Sequence, residues 1–237
     1  MISTDRVITG RELAAYIPIR SRDSYDFTLP TIGQLYDYLF TGEGIYVRAL
    51  RPGLSVLLRI HDCELRGLAP LGEVFPPPIG DPVDFQFPRV PAAYLQKMLE
   101  RSIEACVENE SPIEALFHLL WNEEAGRWQL NKPAQDATPP SVRPIDDGAG
   151  SSYAEALIEL HSHHGMTAFF SSADDADEQG FRIYAVIGEI FTEPKIRVRV
   201  GCFGHFQEIP AETIFELPQT ITDNHEEEPF VEIDEKN

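Results

Sequence analysis

The alternation of apolar and polar positions predicts a chain made largely of strands, with one long helix. From Pro91 to Cys106 apolar side chains recur every three or four residues, which is typical of an amphipathic helix; they are Leu95, Met98, Leu99, Ile103 and Cys106. The segments PIEALFHLLWN and GRWQLNK then predict two strands around the turn EEAG. ALIEL predicts a strand that ends at His161, and FRIYAVIGEIF and KIRVRVGCFGHFQEI predict further strands.

The sequence before Pro91 predicts a separate, smaller unit. TIGQLYDYLF has a helical pattern, whereas GIYVRA and LSVLLRIHDCEL are strand-like. VFPPPIGDPVDFQFPRVP is too rich in proline for a central strand or a helix, so it marks a boundary, and ATPPSVRPIDDGAGSS predicts a loop. We predict an α+β fold with an N-terminal accessory α+β domain at 1–90, a second domain at 91–222 and an acidic tail at 223–237.

Charge and composition exclude several classes of function. The 237 residues carry a formal charge of −20, with 39 acidic and 19 basic side chains, so nucleic-acid phosphates would meet a repulsive field. Basic protein surfaces are better partners. No apolar run approaches the roughly 20 residues of a membrane span, and the first residues do not resemble a signal peptide. Three widely spaced cysteines predict free thiols, and we expect a cytoplasmic protein without membrane or nucleic-acid partners.

One stretch, ELHSHHGMTAFFSSADDADEQG, carries candidate metal chemistry. His161 and His163 are two apart on a predicted strand, so they share a face about 7 Å apart at Cα. Asp174 lies eleven residues beyond His163, where a chain turning into a helix could return its carboxylate. Two imidazoles and one carboxylate are a common ligand set for catalytic zinc. A structural reading competes: Ser171 and Asp174 have the spacing of a capping box, and strand-edge histidines are often merely solvated.

The joint spacing resembles the JAMM motif of the JAB/MPN metalloprotease family: His-Ser-His, seven residues, Ser, two residues, Asp. The resemblance covers roughly 91–218 and implies an MPN/JAB domain with a central mixed sheet flanked by helices. It implies Zn²⁺ held by His161, His163 and Asp174, and it makes Ser171 the group that holds the substrate carbonyl or its oxyanion. The family's upstream Glu, often after a proline, matches Glu114, the implied general base.

Other acidic residues compete for these roles. Glu159 shares the strand face of His161, and Glu108 and Glu110 precede Glu114; each could be a solvated surface acid instead. Asp175 is a backup ligand should the register differ. Together with Asp177 and Glu178 it also fits the solvated face of a short helix.

Further residues near the motif are candidates for substrate contact. His164 stands where the family usually has proline, and it could face substrate, support a ligand, or be a plain loop histidine. Met166, Phe169 and Phe170 could line a groove for an extended peptide or pack in the core. The leading segments VRALRPG, RGLAP and PRVP also resemble the bacterial branch that includes the PRTRC system protein A.

The resemblance implies a zinc-dependent isopeptidase, similar to a deubiquitinase, that cleaves after the C-terminus of a ubiquitin-like modifier. Its partners would be that modifier or its conjugates, and co-encoded activating-like and conjugating-like enzymes. A peptidase or small-conjugate hydrolase with the same chemistry is one alternative. A catalytically inactive MPN scaffold is another, although degenerate domains have usually lost one of the side chains that can all be placed here.

Overall fold

The computed structural model describes residues 14–19, 35–71, 82–109 and 111–225. They divide into two compact units. The first takes in the described residues up to Pro88, with Asp175–Arg182 and Val200–Gln207. The second takes in Arg89–Asp174, Ile183–Arg199 and the residues from Glu208 onward.

The first unit contains a five-stranded sheet in the order β1-β2-β3-β4-β5. The strands are β1 (Ala14–Pro18), β2 (Tyr36–Thr41), β3 (Gly44–Arg51), β4 (Leu54–Asp62) and β5 (Val83–Phe85). β1 is parallel to β2, and the remaining neighbours are antiparallel. A buried cluster lies on this sheet; its members are Ile19, Leu39, Ala69 and Leu71. In its described residues, 82–91, the proline-rich segment contributes the short terminal strand β5, as expected where few backbone donors are available.

The predicted helix in TIGQLYDYLF is wrong where it is described, because residues 36–41 form β2. Burial alternates along β2, with Asp37, Leu39 and Thr41 buried and their neighbours half-buried. Asp37 is paired with Arg48 across the sheet, which satisfies its buried charge. Period-two burial and cross-strand pairing therefore outweigh the weak helical spacing.

The second sheet has the strand order β13-β12-β11-β10-β6-β7, and β14 pairs with β12. The strands are β6 (Leu116–Asn122), β7 (Arg127–Asn131), β10 (Ile158–Ser162), β11 (Phe181–Gly188), β12 (Lys195–Cys202), β13 (His205–Ile209) and β14 (Thr222–Asp223). Parallel and antiparallel pairs both occur, since β10 is parallel to β11 and antiparallel to β6. The α+β prediction and the predicted strands in this part of the chain are confirmed.

The described helices are α1 (Ala92–Glu108), α2 (Ser152–Glu155) and α3 (Ser172–Asp177), with a 3-10 turn at Ala211–Thr213. α1 confirms the predicted long helix and begins after Pro91. Its buried stripe differs slightly from the prediction and consists of Leu95, Met98, Ser102, Ala105 and Cys106. Ser102 is tolerated there because its hydroxyl donates to the Met98 carbonyl at 2.9 Å. None of the helices in the described ranges is long and apolar enough to cross a membrane.

The loop predicted for ATPPSVRPIDDGAGSS contains a hairpin, formed by β8 (Gln135–Thr138) and β9 (Ser141–Pro144). The two consecutive prolines lie at its tip, where no ladder donor is needed, so they do not prevent pairing. The predicted acidic tail lies outside the described residues from 226 onward, and Asp223 itself belongs to β14.

The register of β10 brings distant segments together. His161 lies opposite Leu116 of β6 and beside Val186 of β11. The residues just before β6 are therefore neighbours of the residues that end β10, although almost fifty positions separate them in sequence.

Candidate metal centre

Three side chains of types that commonly bind metals converge at the end of β10. Ligand atoms of His161, His163 and Asp174 all lie within 4.8 Å of one another. The two Nε2 atoms are 3.2 Å apart, and His161 Nε2 is 3.5 Å from Asp174 Oδ1. Both histidines are almost fully buried. The solvated strand-edge reading of these histidines is therefore wrong.

The orientation of His163 is fixed by hydrogen bonds away from the cluster. Its backbone N–H donates to the Ile187 carbonyl at 2.8 Å, and its Nδ1 lies 3.2 Å from the Thr167 carbonyl. A carbonyl only accepts, so Nδ1 carries the hydrogen and Nε2 presents its lone pair to the cluster. An outer partner of this kind is typical of metal-ligating histidines. The sequence pattern gave no signal for this contact, because it uses a backbone carbonyl.

Asp174 both caps its helix and faces the histidines. Ser171 N–H donates to Asp174 Oδ2 at 2.6 Å, and Asp174 N–H donates to Ser171 Oγ at 3.2 Å. This is the reciprocal capping arrangement that the Ser171 to Asp174 spacing predicts. The other carboxylate oxygen, Oδ1, remains directed at His161. The two readings of this residue are therefore compatible rather than exclusive.

Electrostatics favour the protonation states that a cation requires. Burial lowers the pKa of His161 to about 4, against the opposing effect of Asp174, and burial also lowers the pKa of His163. Burial alone would raise the pKa of Asp174, but His161 and the Ser171 hydrogen bonds outweigh it and lower that pKa. At neutral pH the cluster thus offers two neutral imidazoles and one carboxylate. This donor set fits zinc.

Glu114 is buried beside the cluster. Its Oε1 lies 3.8 Å from His163 Nε2, and burial, followed by repulsion from Asp174, raises its pKa to about 8. Glu114 lies between α1 and β6 and directly precedes Ala115, which is hydrogen-bonded to Ser162. A buried carboxyl with a perturbed pKa next to metal-binding side chains is a candidate for proton transfer.

The competing carboxylates lie elsewhere. Glu159 Oε2 is 3.6 Å from His118 Nε2, across the β6 and β10 pair. Glu108 is exposed at the end of α1, and Glu110 lies outside the described residues. Asp175 is exposed and is not part of the three-residue cluster. The solvated-face prediction is wrong for Glu178, which is buried.

Ser162, between the two histidines, holds the Glu114 segment in place. Its Oγ accepts from the Ala115 N–H at 3.0 Å, and its own N–H donates to the Ala115 carbonyl at 3.0 Å. Both residues are fully buried. Ser162 is not among the site residues that the sequence predicts, although it is the serine of the His-Ser-His string, and that string is the signal by which it could be found.

We expect Ser162→Ala to lower the free energy of unfolding by about 1–3 kcal/mol, because a buried N–H loses its side-chain acceptor. Ser162→Thr keeps the hydroxyl and is the matched control. Denaturant unfolding of the metal-free proteins measures the difference. An alanine variant as stable as the parent would show that the hydroxyl does not anchor Ala115.

The candidate groove residues lie between the second histidine and α3. Met166 is 38% exposed. The Phe169 ring packs edge-on against His163, with ring centroids 4.8 Å apart, and the buried Arg199 guanidinium lies 4.0 Å from the Phe170 centroid. Phe169 thus packs against the proposed ligand His163, Phe170 packs against Arg199, and Met166 is open to solvent. His164 is half-buried and lies 3.2 Å from the Pro139 carbonyl.

Comparison with known protein families finds a match over the part of the chain that carries the cluster. Residues 96–200 match the family model described as prokaryotic homologs of the JAB domain. The match supports a JAB/MPN-type domain in this part of the chain. The matched residues include Glu114, His161, His163, Ser171 and Asp174. No match was found among curated proteins.

Proposed function

We propose that the protein is a zinc-dependent isopeptidase of the JAMM type that removes a ubiquitin-like modifier from its conjugates or matures its precursor. The observation that carries the proposal is the position of Glu114, buried within 3.8 Å of a cluster of two imidazoles and one carboxylate. The match of residues 96–200 to the family model of prokaryotic JAB homologs supports hydrolytic chemistry at this site.

His161, His163 and Asp174 would hold the zinc through two nitrogens and one oxygen. When bound, zinc supplies a water of lowered pKa and a Lewis acid for the substrate carbonyl. Glu114 would take the proton of the attacking water and then deliver it to the leaving amine. Its burial suits this exchange, since a carboxyl with a raised pKa both accepts and returns a proton near neutral pH.

In this proposal Ser171 would hold the carbonyl oxygen of the substrate. Its Oγ accepts from the Asp174 N–H, and its hydroxyl is also hydrogen-bonded to the Asp174 carboxyl, from which it would turn to donate to the substrate oxygen. Donors prearranged for a developing oxyanion are commonly the largest single contribution to such catalysis. Asp174 in the first turn of α3 would therefore supply one ligand, and Ser171, the residue before α3, would supply one carbonyl-binding hydroxyl.

Charge and exposure favour a modifier over other amides. A chain of net charge −20 attracts a small protein with a basic surface, and association should slow as salt is raised. A narrow modifier tail could bind as an added strand, with Met166 forming part of its channel. Cys63, Cys106 and Cys202 are free thiols, which fits a reducing cytoplasm. We also propose, from the leading segments alone, a relation to the bacterial branch with PRTRC system protein A.

The test is incubation of the zinc-loaded protein with ubiquitin-like conjugates linked through lysine and with C-terminally extended precursors. We expect cleavage after the terminal residue of the modifier, lost on chelation and in His161→Ala, and restored by zinc in the parent chain. Hydrolysis of short unrelated peptides with every conjugate left intact would favour a general peptidase. Absence of any hydrolysis by the zinc-loaded chain would favour the inactive scaffold.

A further inference from the structure

The β8–β9 hairpin is bonded to both sides of the candidate site. At its tip, the Thr138 carbonyl accepts from the Glu114 N–H at 3.3 Å. The next carbonyl, that of Pro139, lies 3.2 Å from His164 Nε2. Glu114 is the proposed base, and His164 directly follows His163, the second proposed ligand. Two consecutive carbonyls of the tip therefore contact the two segments that build the site.

The hydrogen-bond pattern fixes the direction of the His164 contact. Gly165 N–H donates to His164 Nδ1 at 2.8 Å, so Nδ1 must be unprotonated. The hydrogen of the neutral ring is then on Nε2, from which it is donated to the Pro139 carbonyl. Both ring nitrogens are used, and one tautomer satisfies both contacts. The backbone N–H of Gly165 thus holds the His164 ring in an orientation that suits the hairpin.

Proline cannot replace this contact. The JAMM motif usually has proline at the position of His164, and proline has no side-chain donor. The tip cannot close on itself through Pro139 and Pro140, because neither residue has a backbone N–H. The closing contacts within the turn are the Thr138 hydroxyl to the Ser141 carbonyl, at 3.0 Å, and the cross-strand pairs. The His164 contact is therefore an attachment that this chain adds to the motif.

We propose that His164 is a positioning residue that fastens the tip of the β8–β9 hairpin to the rim of the metal centre and thereby preforms one wall of the substrate channel. The role in substrate binding rests on the proposed isopeptidase function. Pro139 and Pro140 are exposed and follow Thr138, whose carbonyl accepts from the Glu114 N–H, so an extended peptide that approaches Glu114 would meet the tip. Because the wall is ordered before the substrate binds, the free energy of binding is not reduced by the entropy cost of ordering it.

The expected effect is modest, because one partly exposed hydrogen bond changes the ratio of attached to detached hairpin by about 2- to 10-fold. We expect that factor in two measurements. The backbone amides of residues 135–143 should exchange about 2- to 10-fold faster in His164→Ala and His164→Pro than in the parent chain. In the same variants the KM for a lysine-linked ubiquitin-like conjugate should rise by the same factor, while kcat changes less than about 2-fold.

His164→Gln is the matched control, because its side-chain amide can donate to the Pro139 carbonyl. It should restore slow exchange and low KM, whereas loss of general packing would not be rescued this way. Exchange of the β11 amides, which serve as an internal reference, should be the same in all variants. Unchanged hairpin exchange in His164→Ala, or a glutamine variant no better than alanine, would overturn the attachment. Faster exchange with unchanged KM would overturn its role in substrate binding.

Exchange measurements need no substrate, so the two proposals fail separately. If the parent chain cleaves no conjugate, the isopeptidase function falls, and hairpin exchange alone then decides whether His164 fastens the tip.

Discussion

Glu114→Gln is expected to bind zinc and to remain folded, but to turn over its substrate about 100-fold more slowly or worse. The amide has the shape of the carboxylate and cannot accept the proton of the attacking water. It also cannot protonate the leaving amine. Because Glu114 lies 3.8 Å from His163 and is absent from the three-residue cluster, its replacement leaves the proposed ligands in place. Single-turnover and steady-state kcat on a ubiquitin-like conjugate measure the loss.

Glu159→Gln is the matched control, since Glu159 is also a glutamate whose carboxylate lies beside a buried histidine. Its partner, however, is His118, not a member of the cluster. We expect its kcat to stay within a few-fold of the parent value. Equal losses in both variants, or full activity in Glu114→Gln, would show that another group moves the proton.

The grouping of His161, His163 and Asp174 could be predicted because local geometry determines most of it. Alternation on a strand places His161 and His163 on one face, and the structure brings their Nε2 atoms to 3.2 Å. The capping spacing of Ser171 and Asp174 was also read correctly. From the sequence, helix capping and metal binding are competing interpretations of Asp174. A carboxylate has two oxygens, however, and the structure directs one to the backbone and the other to His161.

Sequence patterns could not predict the contacts that depend on the pairing of strands distant in sequence. Glu114 was proposed through the resemblance alone, since nothing periodic links it to residues almost fifty positions later. Its placement follows from the antiparallel register of β6 and β10, extended by the two Ser162 to Ala115 hydrogen bonds. The same register sends Glu159 to His118, which is why sharing a strand face with His161 does not bring it into the cluster.

The segments that were misread lack a strong local signal. Residues 36–40 mix aromatic and aliphatic side chains that suit either period, and sheet pairing decides in favour of β2. The hairpin at 135–144 was missed because its prolines suggest a loop. In the structure Pro139 and Pro140 lie at the tip, and Pro144 ends β9. Proline excludes a ladder donor only where the register requires one.

Asp174→Asn is expected to weaken zinc binding by about 100-fold or more while leaving the helix cap intact. Losing an outer partner of a metal ligand typically costs 10- to 100-fold in affinity, so replacing an anionic ligand should reach at least the upper end. Asparagine still offers an oxygen to the Ser171 N–H, and its own N–H can still donate to Ser171 Oγ. The substitution therefore separates the two uses of this side chain.

Two measurements on the same variants distinguish the outcomes: zinc affinity by competition with a chelator, and the denaturant midpoint of the metal-free protein. Asp175→Asn is the matched control, since it makes the same change one residue later on an exposed side chain outside the cluster. We expect both variants to keep the midpoint within the small range of a surface substitution. Only Asp174→Asn should lose zinc. If Asp174→Asn bound zinc as tightly as Asp175→Asn, Asp174 would be a capping residue alone, and the proposed ligand set would be wrong.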